Sequence, residues 1–328
     1  MREVVNTNEK MKTVFITAIK GILIKDKLET DLILKTQLTD ESQLEIHLTN
    51  DKNKIKSFLT VDLQTVIGQL EYEELENANL IAFSMYEIND TEISTMEFLN
   101  SYMRILYAFS LAMWLVKDSC LDFDQCFLNY TKDNKSYVDC NSMQGMMFNA
   151  EGKNELLEVS FEEVNKAKMY FENNLSLSSA KNDYSNFDKN LSRISIGLYF
   201  LQYSRQLVDL GLRISTYINA FEALFSTDNN ELSHKLSERV AFLFAETPEE
   251  RLLMYQNMKK AYGIRSKVFH GEGLDLKKFS EIRDISLFCD ITLRKIILKI
   301  LTVEELESIF KSDKTRLDVY FNELILKR

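Results

Sequence analysis

From Arg251 to His270 the chain carries Arg251, Lys259, Lys260, Arg265 and Lys267 and no acidic residue, although its formal net charge is −10. A local basic surface of that kind suits a polyanion. Arginine can grip a phosphate through parallel hydrogen bonds, and histidine can take or give a proton near neutral pH. Arg265 and His270 are five residues apart, about 7.5 Å along a helix and about 140° around it. They do not share a face, so they converge only if the helix distorts or ends near His270, or if two subunits bring two such ends together. Gly271 is a suitable residue to follow that end. Tyr255 and Tyr262 lie within the run and could stack on bases or pack the helix. By itself the basic run suits a solvated helix face better than a nucleic-acid site, and an isolated Arg and His this far apart suit structural roles better than catalytic ones.

Glu222 is the next residue with chemical potential. Ile214, Tyr217, Ile218, Phe221, Leu224 and Phe225 recur as an apolar stripe, and Glu222 borders it, where a partly buried carboxylate needs a partner. Ser215, Asn219, Glu222 and Ser226 form a polar stripe beside it that could face a cleft. An ion pair of Glu222 with Arg239 or Arg265 is the structural alternative. His234 suits a surface or capping role, and His47 sits on a predicted strand among polar neighbours. Cys120, Cys126, Cys140 and Cys289 match no zinc-ligand spacing and are expected as buried thiols rather than a metal site. No cofactor or metal is expected, and the absence of a glycine-rich phosphate loop speaks against a nucleotide-handling enzyme.

The elements that must position these groups divide at a polar, turn-forming stretch from Ser176 to Asn190. At 328 residues, 45% hydrophobic and 27% charged, the chain can form two globular domains. The expected class is α+β: a mixed sheet-and-helix domain over residues 1–180, then an all-α bundle over 181–328. From Lys12 to about Ile88 the pattern is strand-like, with stretches such as Thr13–Thr17, Asp31–Thr36, Gln43–Leu48 and Asn79–Tyr86; a helix follows from about Thr91 to Val116, then short strands at Phe123–Tyr130 and Leu156–Phe161 with a Gly- and Asn-containing loop region between them. The second half predicts helices at about 184–208, 211–226, 231–245, 248–269, 275–300 and 303–326. Thr247-Pro248-Glu249-Glu250 and Thr302-Val303-Glu304-Glu305 read as capping boxes. No apolar run reaches the roughly 18 residues of a membrane span, and the N-terminus lacks a signal-peptide core, so a cytoplasmic location without membrane association is expected.

Tyr262-Gly263-Ile264-Arg265-Ser266-Lys267-Val268-Phe269-His270-Gly271 resembles the R-x4-H motif of the HEPN superfamily, in the wording of its ApeA-like branch. The similarity extends to Asn219–Ser226 and Glu231–Ala241, in order and spacing, and covers roughly Asp183 to Leu301. Many HEPN motifs carry Asn, Asp or His directly after the arginine, where this chain has Ser266. The resemblance implies a dimeric helical domain that cuts RNA without metal, with Arg265 and His270 catalytic. Ser266, Glu222 and Asn219 would support them, and Lys259, Lys260, Lys267 and Tyr262 would hold RNA. It also implies an antiphage or abortive-infection effector, with tRNA among the candidate substrates and a phage-derived trigger. The rival reading is a non-catalytic RNA-binding or dimerisation module on the same bundle.

Overall fold

The computed structural model describes residues 10–37, 43–89, 94–132, 135–175, 191–228 and 230–327. The fold is α+β, and the described chain separates into two compact units: residues 10–147 with 155–175, and residues 148–154 with 191–327.

The first unit is built on a six-stranded antiparallel sheet of order β3-β4-β5-β1-β6-β7. In chain order its strands are β1 (Lys10–Ile19), β3 (Leu32–Gln37), β4 (Gln43–Thr49), β5 (Leu80–Asn89), β6 (Gln125–Lys132) and β7 (Lys135–Ser142). A separate parallel pair joins β2 (Ile22–Ile24) to β8 (Leu157–Val159). Side chains alternate across a strand, so β1 serves two cores. On one face Ile16 and Ala18 join Ile81, Phe83 and Phe127 against Ile55, Leu63 and Leu75 of the short helices α1 (Lys52–Phe58), α2 (Val61–Ile67) and α3 (Gln69–Asn77). On the other, Phe15 stacks on Tyr102 of α4 (Thr95–Val116), whose hydroxyl donates to Ser84 Oγ at 2.9 Å. α4 is buried along most of its length, which explains why its apolar residues extend beyond one stripe.

Three features differ from the sequence expectation. Residues 52–77 form α1 to α3 rather than strand: Asp51 and Thr60 accept from the amides of Asn53 and Leu63 and start the first two helices. β7 falls where the sequence suggests a loop, because a polar edge strand lacks the apolar alternation that marks a strand. Residues from Phe161 onward form α5 (Phe161–Asn174), opened by a capping box of Ser160 and Glu163.

The second unit contains α6 (Arg193–Ser204), α7 (Leu210–Phe225), α8 (Leu232–Phe244), α9 (Pro248–Phe269), α10 (Phe279–Thr302), α11 (Glu304–Lys311) and α12 (Lys314–Leu326). α9 opens with the Thr247–Glu250 capping box and Pro248 in its first turn. Thr302 forms no such box: it is the last residue of α10, and its hydroxyl donates to Leu298 O. The expected single helix over 303–326 breaks where Asp313 accepts from the Arg316 amide and starts α12. The expected start near 184 lies outside the described residues, and Ser192 caps α6.

α7 is the central helix, packed against α6, α8, α9 and α10. Its polar anchor is Asp290 of α10, which is fully buried. Asp290 Oδ1 accepts from Arg205 Nη1 at 3.0 Å and from the Tyr217 hydroxyl at 3.0 Å, and Oδ2 accepts from Arg294. Arg205 closes α6 and Tyr217 lies on α7, so one carboxylate ties three helices. Residues 148–154 pack into this unit: Phe148 N–H donates to Arg205 O, the buried Arg213 donates to Asn149 O, and Ser286 Oγ donates to Ala150 O. They precede the polar boundary read from sequence.

Asp290→Ala leaves Arg205 and the Tyr217 hydroxyl buried without their acceptor. It is expected to destabilise the helical unit by about 3–5 kcal/mol. Urea unfolding followed by circular dichroism reads the loss; an unchanged midpoint contradicts the anchoring role.

Candidate active site

Helix periodicity places Asn219 and Glu222 three residues apart on one face of α7. Facing them, α9 presents Tyr262, Arg265 and Phe269 at i−3, i and i+4. Arg265 Nε donates to Asn219 Oδ1 at 3.4 Å, and Nη2 donates to Glu222 Oε2 at 3.1 Å. The guanidinium carbon lies 5.3 Å from the Tyr262 ring centre and 5.2 Å from that of Phe269, both within range of cation–π attraction. Four groups therefore fix one side chain. The Nε and Nη2 edge is engaged with α7, while Arg265 keeps further N–H groups for another acceptor.

The helix packing that brings these groups together relies on a small residue. A Cβ at Gly211 of α7 would lie 2.7 Å from Leu274 Cδ1 and 3.1 Å from Val268 Cγ2, so glycine there admits the last turn of α9. α9 stays regular to Phe269, and His270 is its C-cap, with its amide donating to Ser266 O at 3.0 Å. Gly271 follows at φ +75°, Gly271 N–H donates to Val268 O and Glu272 N–H to Lys267 O, the bonding of a Schellman end. The helix ends where Gly271 suggests, without the distortion that would swing Arg265 toward His270. The His270 ring is exposed and makes no hydrogen bond or ion pair among the described residues.

Glu222 is held in opposing fields. Burial pushes its carboxyl above the ordinary value of 4.5, against the lowering pull of the Arg265 charge and the Tyr262 hydroxyl. Its Oε1 is buried with no hydrogen-bond partner among the described residues. The Tyr262 phenol is raised by burial and then by the Glu222 charge, so it stays a donor. Of the two arginines considered for Glu222, the structure selects Arg265; Arg239 instead bonds Asp318, Phe225 O and Thr227.

The other expected residues divide clearly. Of the polar stripe only Asn219 and Glu222 reach Arg265: Ser215 turns back to Gly211 O and Ser226 caps α7. Lys259 and Lys267 are exposed, whereas Lys260 lies 3.4 Å from Glu281. Arg251 is taken up by carbonyls of Ala245 and Glu246 beyond α8. His234 bonds the Tyr255 hydroxyl at 2.8 Å, and His47 lies 3.4 Å from Asp31 and stacks on Phe83. Cys120, Cys126 and Cys289 are buried as expected, while Cys140 is exposed on the edge strand. No group of three His, Cys, Asp or Glu side chains that could hold a metal occurs among the described residues, and no described helix is long and apolar enough to cross a membrane. Comparison with protein-family models, with curated proteins and with solved structures finds no match for this chain. Sequence reading assigned no role to Phe269, which its spacing of four from Arg265 could have suggested.

Because the folded state favours neutral Glu222, this group's contribution to stability is complete below pH 4.5 and is lost as the pH rises through its raised value. Glu222→Gln is neutral throughout and removes that loss. The stability of the wild type relative to the variant should fall as the pH rises above 4.5; a difference that instead grows in favour of the wild type would show that the Arg265 attraction outweighs burial.

Proposed function

We propose that the helical unit is a metal-independent endoribonuclease in which Arg265 and His270 carry the reaction. The observation behind this reading is the fixed guanidinium of Arg265, which keeps N–H groups for a phosphate at the end of a helix whose C-cap is His270. RNA supplies its own nucleophile. The 2′-oxygen attacks the adjacent phosphorus, the bond to the 5′-oxygen breaks, and the ends are a 2′,3′-cyclic phosphate and a 5′-hydroxyl. His270 serves as the base that takes the 2′ proton or the acid that protonates the leaving oxygen, and Arg265 holds the charge developing on phosphorus. Asn219 and Glu222 are positioning residues behind the arginine, and Ser266 lies beside it in sequence. Lys259 and Lys267 hold the strand by charge, with a smaller share from Lys260, and Tyr262 steadies the guanidinium.

Arg265 and His270 are not joined within one chain, which favours a homodimer through the helical unit in which each subunit completes the other's groups. The same separation supports a non-catalytic RNA-binding module as the second reading. The HEPN resemblance adds the setting: an antiphage or abortive-infection effector in the cytoplasm, with tRNA among its substrates. The sheet unit then governs when or on what the nuclease acts, through its strand edges and loops, in response to a phage-derived trigger.

Purified full-length protein incubated with total tRNA, mRNA and single-stranded DNA in EDTA should cut RNA and spare DNA. Arg265→Ala and His270→Ala should each lower the rate about 100-fold or more with unchanged circular dichroism. Wild-type rates in both folded variants would refute the assignment, and binding without cutting by the wild type would establish the second reading.

A further inference from the structure

The two edges of the six-stranded sheet are guarded differently. α5 packs against β3, whereas β7 has β6 as its one strand partner among the described residues. β6 and β7 pair at eight successive positions without a bulge, and β7 contains no proline. Lys132 and Lys135 are ladder partners separated by two residues, the spacing of a tight hairpin whose flanking pair exchanges both backbone bonds. Bonding residues alternate, so the N–H and C=O groups of Lys135, Tyr137, Asp139 and Asn141 face β6. Those of Ser136, Val138 and Cys140 face outward, and none of these backbone groups finds a partner among the described residues. Native edges are blunted by bulges, prolines, charges or a covering element. Here the outward-bonding residues are uncharged, and Ser136 and Cys140 are exposed.

A row of alternating free donors and acceptors fits an extended strand, and β7 is complementary to itself. A closed pair of identical chains needs a two-fold axis, which sets the two edge strands antiparallel. Overlap of the whole strand would oppose each outward-facing residue to one facing inward and make no ladder. The overlaps one residue shorter centre on Asp139 or on Val138. The first sets two Asp139 carboxylates directly opposite each other, an unfavourable like-charge pair. The second opposes Val138 to Val138, Ser136 to the second copy's Cys140, Tyr137 to its Asp139 and Lys135 to its Asn141, with no like charges facing. Its outward-facing residues then exchange about six backbone hydrogen bonds. α2 packs against β7 and leaves Val61 and Val66 exposed. The axis is perpendicular to the sheet, so those valines of both copies lie on the same side of the junction.

We infer that β7 is a docking edge for β7 of a second copy of this chain, with Val138 on the two-fold axis and the two sheets joined into one. The inference does not rest on the nuclease reading, and its surface lies in the sheet unit, not among the α7 and α9 residues around Arg265. A slip of one residue would set bonding groups against non-bonding ones, so the register is specific.

Disulfide trapping in the full-length protein reads this contact alone. Directly opposed, hydrogen-bonded residues of an antiparallel ladder have Cα atoms about 5.5 Å apart, within disulfide reach. Under mild oxidation Ser136→Cys should therefore give a covalent dimer through the native Cys140 of the second copy, identified by mass spectrometry as a link between positions 136 and 140. Val138→Cys combined with Cys140→Ser should link through position 138. The wild type, and Ser136→Cys combined with Cys140→Ser, should each link at least about fivefold less, because neither position 140 nor position 136 faces itself. On the Ser136→Cys background, Tyr137→Asp sets an acid against Asp139 and Tyr137→Lys sets a cation there. The aspartate should lower the linked fraction at least about threefold relative to the lysine, with equal melting by circular dichroism. No link in either designed pair, equal linking in the controls, or indifference to the charge at position 137 overturns the self-pairing. A dimer by light scattering that yields none of these links belongs to another surface and overturns it as well.

Discussion

A carboxylate withdrawn from water determines how the helical unit is arranged. Asp290 cannot remain charged in an apolar core unless donors surround it, and Arg205, Tyr217 and Arg294 supply them from α6, α7 and α10. Burial and the Asp290 charge push the Tyr217 phenol upward, which keeps it protonated and donating. Replacing such a cluster with apolar residues can be neutral, but removing one member is not, so the cluster fixes a unique packing rather than adding large net stability. The consequence reaches the candidate site through α7. Asn219 and Glu222 follow Tyr217 by two and five residues, about 200° and 140° around the helix, so fixing Tyr217 on one side fixes the other two on the side that meets α9.

On that second side the forces are more finely balanced. Glu222 attracts Arg265, yet the same burial that strengthens the attraction disfavours the charge on Glu222. An arginine held only by that carboxylate would be weakly fixed. Asn219 and the rings of Tyr262 and Phe269 add contacts to the guanidinium that do not depend on the protonation of Glu222. The arrangement suits a residue that must meet a phosphate without reorganising, since preorganised charge is what stabilises a developing anion. His270 is the contrast: the Schellman end fixes its backbone while its ring stays open to solvent.

Much of this was legible in the sequence where a local rule acts alone. The Thr247–Glu250 box, Gly271 as the residue that ends α9, and the apolar stripe of α7 with Glu222 at its border all follow from helix chemistry and appear in the structure. The pairing of Glu222 with an arginine was also legible, but the choice of Arg265 over Arg239 depends on helix packing that no periodicity encodes. The Thr302 box failed because α10 claims that threonine as its own last residue. The box at Ser160-Phe161-Glu162-Glu163 carries an equally clear signal, but it overlaps the stretch Leu156–Phe161 that also reads as a strand. Asp290 was invisible as an anchor, because an acidic residue in an amphipathic run does not announce which donors will surround it. The helices over 52–77 were missed because each contributes one buried residue, too few to establish a period.

The roles proposed for Arg265 and His270 depend on attack by the 2′-hydroxyl. An RNA oligonucleotide cut by the full-length protein in EDTA, beside the same strand with a single 2′-deoxy sugar at the cleaved position, tests it through the mass of the ends. Attack by the 2′-oxygen leaves a 2′,3′-cyclic phosphate and a 5′-hydroxyl from the first strand and an uncut bond in the second. A 5′-phosphate end, or cleavage of the deoxy strand at the same bond, would contradict it.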